Sequence, residues 1–241
     1  MGLFHRRKSI IDSGLLKGST DNHSHILYGL DDGVKTLEES LAILSWLETE
    51  QGVREVWFTP HVMEDVPNTT ERLRARFEEF QAVYKGGLRL HLAAEYMLDT
   101  LFEARLAARD LLTHGDNLVL VETSALTPPY NFWDTIQDIK KAGYQPLIAH
   151  PERYRYMQAA DYKRLHDMGC LLQLNLPSVA GYYGESAQKR ALDLLDKGWY
   201  AMAGSDCHRF KVLQHQYAAK ELKDSAIRQL KPIMAGLPEE E

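Results

Sequence analysis

No stretch of this chain approaches the roughly 20 consecutive apolar residues that a helix needs to cross a bilayer, so membrane insertion is not expected. The basic start Met1-Gly2-Leu3-Phe4-His5-Arg6-Arg7-Lys8 lacks the apolar core of a signal peptide. Cysteine is scarce: Cys170 and Cys207 are too few for a disulfide framework and suit a reducing cytoplasm. Positive charge is in deficit, with 28 Lys and Arg against 34 Asp and Glu and a formal net charge of −6. That balance excludes the phosphate-neutralising surface of a duplex DNA or RNA binder. Linkers rich in Pro, Gly or Ser, low-complexity tracts and internal repeats are also missing. The 241 residues are therefore expected to form one domain, with residues 1–18 as an N-terminal extension.

What the chain does have is an alternation of apolar strand-like runs with helical stripes. Thr36 and Glu39 form a capping-box pair ahead of Leu37, Leu41, Leu44 and Leu47. Asn68 with Glu71, and Asp99 ahead of Leu101, Phe102 and Leu106, open two more helices. Further helical patterns run over 131–142, 159–168, 185–197 and 214–235, with Gly143, Gly169 and Gly198 at expected C-caps. Strand and helix alternate about seven times, which implies a parallel sheet, either closed into a (β/α) barrel or doubly wound.

The barrel is favoured because ligand-type residues end nearly every apolar run, and strand C-termini are where such barrels assemble their sites. Asp21-Asn22-His23-Ser24-His25 places two imidazoles at i and i+2, on one face of a strand, and the loop through Gly29, Asp31, Asp32 and Gly33 follows at once. His61, Glu95, Glu122, His150 and the pair Asp206 and His208 close later runs. Any one of these reads as a capping or backbone-bonded residue; the ordered set points to a metal centre of imidazole and carboxylate. Neither cysteine has an arginine six residues on, since Leu176 and Leu213 stand there, which excludes a cysteine-dependent phosphatase. His166-Asp167, a pair known from another phosphohydrolase class, lies on a polar helix and reads as solvated.

Asp21-x-His23-x-His25, Gly29-x-Asp31-Asp32-Gly33, Thr59-Pro60-His61, Glu95, Glu122, His150-Pro151-Glu152-Arg153 and Ser205-Asp206-x-His208 together resemble the polymerase-and-histidinol-phosphatase (PHP) superfamily. More narrowly they resemble the bacterial manganese-dependent protein tyrosine phosphatases of capsule and exopolysaccharide clusters, over roughly residues 19–215. The resemblance implies a distorted (β/α)7 TIM-like barrel of PHP fold with three metals at its mouth. His23, His25, Glu95 and Asp206 would hold the first. Glu95 would bridge to a second, held also by Glu122 and His150, and Asp31, His61 and His208 would hold the third. Manganese is the implied metal, with iron, cobalt or zinc admitted by the same ligands. Arg153, His208 and Asp206 would stand at the reacting phosphate, attacked by a metal-activated water.

Three positions depart from the family pattern: Asn22, Tyr28, and Leu213, where related enzymes often place a second phosphate-binding arginine. Arg209 or Lys211 is the substitute available nearby. The implied partner is a phosphotyrosine protein, the tyrosine-rich tail of a polysaccharide-export kinase; the chain itself offers no reading of oligomeric state. Tyr28, Tyr96, Tyr130, Tyr154, Tyr182 and Tyr183 are candidates to stack on a phenyl leaving group. The alternatives are a small-molecule phosphatase such as histidinol phosphatase, and a catalytically silent metal-binding regulator. Amidohydrolases share the opening His-x-His but leave Asp31, His61 and His208 without a role.

Overall fold

Each apolar run of the sequence becomes a strand of the computed structural model, which describes residues 7–219 and 221–236. Residues 1–6 of the basic start lie outside the described residues. The strands are β1 (Thr20–Ser24), β2 (Glu55–Phe58), β3 (His61–Val62), β4 (Arg89–Leu92), β5 (Glu95–Met97), β6 (Leu118–Glu122), β7 (Gln145–Ala149), β8 (Leu171–Asn175) and β9 (Tyr200–Gly204). The helices are α1 (Leu37–Thr49), α2 (Thr70–Val83), α3 (Thr100–Ala108), α4 (Phe132–Lys141), α5 (Ala159–Asp167), α6 (Leu176–Val179), α7 (Glu185–Asp196), α8 (Phe210–Ala218) and α9 (Asp224–Ile233). Every ladder between named strands is parallel.

The expected mixed α/β alternation is present, but a closed sheet is not found among the described residues. The strands fall into a three-stranded sheet, β1-β2-β4, and a six-stranded sheet, β3-β5-β6-β7-β8-β9. The division has a local cause. Thr59-Pro60 separates β2 from β3, and proline has no N–H to give a ladder; Ala93-Ala94 separates β4 from β5 at the same height. Single hydrogen bonds still cross the break, from Ala93 N to Phe58 O at 2.8 Å and from Glu95 N to Pro60 O at 3.1 Å. At the other edge, Asp206 N donates to His23 O at 2.8 Å and His25 N to Cys207 O at 3.0 Å, beside an isolated parallel bridge between Ser24 and Cys207. The C-terminal ends of both sheets are thereby drawn together, and there the ligand-type residues sit.

Strand alternation sorts the side chains. Val119, Val121, Ile148, Leu172 and Leu174 join the main core, while Leu118, Leu120, Leu147, Ala149 and Met202 form a second apolar cluster on the opposite face. Glu122 shares the parity of Leu118 and Leu120, so it continues that second face upward into the site.

The helix starts are mostly those read from the sequence. Thr36 accepts from Glu39 N and Asp99 from Phe102 N, as N-caps should. At α2 the cap is Thr69, which accepts from Arg72 N. Asn68, expected there, instead donates to Leu30 O and His61 O at 3.0 and 2.9 Å and fastens two site loops together. The single helix expected over 214–235 is two, α8 and α9, because both backbone groups of Leu222 pair with Lys8. Gly143, Gly169 and Gly198 have φ of +89°, +74° and +66°, the left-handed conformation of C-caps.

Candidate metal centre and phosphate site

His23 in β1 and His25 just past its end converge, with their Nε2 atoms 3.2 Å apart. The carboxylate of Glu95, at the start of β5, faces both: Oε2 lies 3.3 Å from His23 Nε2 and 3.2 Å from His25 Nε2. Asp206 Oδ1, just beyond β9, approaches the same two nitrogens at 3.6 and 3.3 Å. The close approach requires glycine at the end of β9, since a Cβ on Gly204 would come within 2.4 Å of His23 Cβ.

A second group gathers between Glu95 and Glu122. His150 Nε2 is 2.9 Å from Glu95 Oε1 and 3.8 Å from Glu122 Oε2. His61 Nδ1 stands 3.1 Å from both Glu95 Oε2 and Glu122 Oε1, which places it with this group as well. The third group differs from expectation. His61 and His208 face Asp32, whose Oδ1 lies 3.5 and 3.3 Å from their Nε2 atoms, and His25 completes the cluster.

Asp31, expected among these ligands, turns the other way. Its Oδ2 accepts from His25 Nδ1 at 2.7 Å and His61 N at 2.9 Å, and its Oδ1 accepts from Gly33 N at 2.9 Å. It therefore fixes the ring of His25 with Nε2 aimed into the cluster, the outer partner that metal-binding imidazoles ordinarily require. Gly33 makes this possible: a Cβ there would lie 2.3 Å from His25 O. Asp21 works similarly at the base of β1, where Oδ1 accepts from Ser205 N at 2.7 Å; burial pushes its carboxyl up to about 6.

Backbone strain is concentrated at this site. Among described non-glycine residues, only Arg109, His150 and Asp206 have positive φ, and the last two, at +33° and +52°, both aim side chains into the cluster. The electrostatics favour a cation. Burial and the neighbouring His25 push His61 down, yet Glu95 and Glu122 outweigh them and hold it at about 10. Burial raises Glu95, but the charges of His23 and His61 hold it well below the usual carboxylate range. Glu95 Oε2 and His61 Nδ1, 3.1 Å apart, are buried without a hydrogen-bond partner. Buried, unpaired, convergent donor atoms of borderline hardness are what a divalent metal satisfies, so the residues fit such an ion.

Arg153, three residues after His150, reaches the rim. Its Nη1 donates to Asp206 Oδ2 at 2.7 Å, and its guanidinium lies 4.5 Å from the ring centre of Tyr183. Asn175 Nδ2 donates to the same Asp206 oxygen at 3.0 Å and to Tyr183 Oη at 3.1 Å. Glu152, buried between these residues, accepts from Asn175 N, Ser178 Oγ and Tyr200 Oη. Neither Asn175 nor Glu152 was singled out as an orienting group, though Glu152 lies within the His-Pro-Glu-Arg segment that could have marked it.

Arg209 Nη1 donates to the carbonyls of Asp32, Gly33 and His208, so it clamps the loop that carries Asp32. Lys211 is exposed on the first turn of α8, and Leu213 is buried in the core. Tyr96 and Tyr154 are buried; Tyr28 is occupied by Arg76, which stacks on its ring at 4.4 Å. Tyr130 is fully exposed, while Tyr183 lies against Arg153 and Tyr182 against Tyr183. Both cysteines are buried, and burial pushes the Cys207 thiol well above its ordinary range and Cys170 up to about 11, so neither is an activated nucleophile. His166 and Asp167 are exposed, as expected.

Clustered imidazoles and carboxylates at the C-terminal ends of parallel strands, with an arginine at the rim, define a metal-assisted phosphohydrolase type of site. The family model described as capsular polysaccharide synthesis, CpsB/CapC, matches residues 19–222, and the chain belongs to that family. It is 30% identical to tyrosine-protein phosphatase CpsB of Streptococcus pneumoniae, across 85% of this chain and 93% of that one. Tyrosine-protein phosphatase YwqE of Bacillus subtilis is 28% identical across 80% of this chain and 78% of its own. A solved chain from crystal structures of YwqE and CpsB, described as unique metal-dependent tyrosine phosphatases, matches with a TM-score of 0.71 and 26% identity, covering 80% of this chain and 81% of that one.

Proposed function

We propose that this chain is a metal-dependent tyrosine-protein phosphatase acting in capsular or exopolysaccharide synthesis. The observation that carries the reading is the convergence of the imidazole and carboxylate groups on Glu95, with Arg153 at the rim above them. His23, His25, Glu95 and Asp206 would hold one cation; His61, Glu95, Glu122 and His150 a second; Asp32 and His208, next to His61, a third. Asp31 passes from ligand to positioning residue for His25. We take manganese as the resident metal, in competition with iron, cobalt and zinc for the same ligands. Bound divalent ions supply Lewis acidity toward phosphoryl oxygens and acidify water at neutral pH.

The chain's own part is positional. Arg153 offers a fork of N–H donors to the non-bridging phosphate oxygens, a geometry that a lysine lacks. Tyr183 and Asp206 hold that fork in place. The two sheets are read as one interrupted (β/α)7 barrel, broken at Pro60 and joined again beside His23, within a single catalytic domain. We place the enzyme in the cytoplasm, in keeping with two free cysteines and with the absence of any described helix long and apolar enough to cross a membrane. The substrate we assign is a phosphotyrosine in the flexible tail of a polysaccharide-export tyrosine kinase.

The test is side-by-side turnover of a phosphotyrosine peptide and of histidinol phosphate by protein stripped with chelator and then given each metal. Stripped protein is expected to be inactive and manganese to restore peptide hydrolysis. Full activity without metal refutes the metal assignment, and preference for histidinol phosphate refutes the substrate.

A further inference from the structure

The loop over residues 181–184 places Tyr183 against Arg153 and Tyr182 against Tyr183. Its path between α6 and α7 is set by Gly181 and Gly184, with φ of +80° and +90°, conformations that glycine adopts without strain. Within it the amides of Gly181, Tyr182 and Gly184 donate to Ser178 O, Pro177 O and Gly181 O, so the turn is fixed before any ligand arrives. Tyr183 folds inward, its hydroxyl accepting from Asn175 and its ring lying against Arg153. Tyr182 stands edge-on to Tyr183, with ring centres 5.1 Å apart and planes at 88°, and leaves 46% of its surface in water. A guanidinium, a half-buried phenol and an exposed phenol thus follow one another from the ligand cluster outward.

We propose that Tyr182 is the aryl wall of this site: the phenyl ring of a bound phosphotyrosine packs on it, making the enzyme select aryl over alkyl phosphate esters. The proposal rests on the phosphatase reading above. A phosphoryl group held by Arg153 would extend its ester oxygen and ring outward from the cluster, and Tyr183, against Arg153, leads in that direction to the exposed Tyr182. Aromatic rings pack favourably there in offset or edge-to-face geometry. Serine and small alkyl phosphates have no ring to cover that surface. Because the loop is already ordered, little conformational freedom is lost when the ring docks.

Inhibition by two inert phosphonates, phenylphosphonate and methylphosphonate, isolates the ring from the phosphoryl contact in the metal-loaded full chain. The wild-type protein is expected to bind the phenyl compound about tenfold more tightly, an advantage of the size that one aromatic packing contact supplies. In Tyr182→Ala that ratio falls to about threefold or less, while the methylphosphonate constant and the melting temperature hold. Tyr182→Phe keeps the ratio. For the phosphotyrosine peptide, Tyr182→Ala raises KM with little change in kcat. A ratio unchanged in Tyr182→Ala, or near unity in a wild-type protein that hydrolyses the peptide, overturns the aryl wall. No peptide hydrolysis and no inhibition by either phosphonate instead overturns the phosphatase reading on which it stands.

Discussion

Asp31 and Asp32 are adjacent and chemically identical, yet their surroundings predict opposite consequences for the same substitution. Asp31→Asn replaces a carboxylate that accepts three N–H groups, from His25, His61 and Gly33, within 2.7–2.9 Å. An asparagine keeps one acceptor oxygen and turns an amide donor toward at least one of those N–H groups. Hydrogen bonds to a charged group are worth about 1.5–3 kcal/mol each, and a buried donor left unpaired adds to the loss, so a destabilisation of about 2–4 kcal/mol is expected. For a chain of this length that lowers the melting temperature by roughly 5–15 °C. Asp32 has a side chain 73% exposed and faces His61 and His208 at 3.5 and 3.3 Å. Asp32→Asn should therefore change stability by less than about 1 kcal/mol, as the loss of an exposed ion pair does, while removing a proposed ligand of the third cation. Thermal melts of metal-free protein, paired with metal counting on loaded protein, separate the two. Asp32→Asn is expected to melt like wild type and to bind one cation fewer. If Asp31→Asn melts like wild type and loses one cation, while Asp32→Asn keeps all of them, the roles assigned from these contacts are reversed.

Three further outcomes follow from the same geometry. Glu95→Gln is expected to reduce occupancy at two cation positions together, because its two oxygens face different imidazole groups, and a full metal complement with wild-type turnover would remove it from the bridging role. Arg153→Lys is expected to keep fold and metal content but lower kcat/KM about tenfold, corresponding to some 1.4 kcal/mol of transition-state stabilisation; unchanged kinetics and unchanged inhibition by inorganic phosphate would exclude the guanidinium contact. Burial raises the Asp31 carboxyl, but the charge and hydrogen bond of His25 hold it well below its ordinary value. A depressed folded value means that its stabilisation is complete above about pH 4, the unfolded value, and is lost as pH falls below it. The melting temperature of metal-free wild type should accordingly decline below about pH 4 more steeply than that of Asp31→Asn; parallel curves would exclude Asp31 as a source of acid sensitivity.

The strands and the chemistry at their ends were legible because burial on both faces writes a continuous apolar run, and a polar residue ending such a run is conspicuous. Spacing showed that Asp31 and Asp32 lie near His25, but not which carboxylate turns inward. That choice depends on Gly33, where the chain passes so close to His25 that Asp31 is folded beneath the ring and Asp32 is left facing His208. Sequence position was equally silent about Arg209. Read as a stand-in for a phosphate-binding arginine, it turns Nη1 onto the carbonyls of the Asp32 loop. The histidines outside the site show the same limit: His91 and His114 stack on Trp57, and burial pushes His114 down to about 3, a neutral packing ring rather than a ligand. Break points in the sheet were recoverable in part, since Pro60 announces that β2 cannot continue its ladder into β3, whereas the matching interruption at Ala93-Ala94 is imposed by its neighbour and carries no mark of its own. Residue type thus determines which chemistry is available, and three-dimensional neighbours determine which of two similar residues performs it. The pair Asp31 and Asp32 is the place in this molecule where the distinction can be measured.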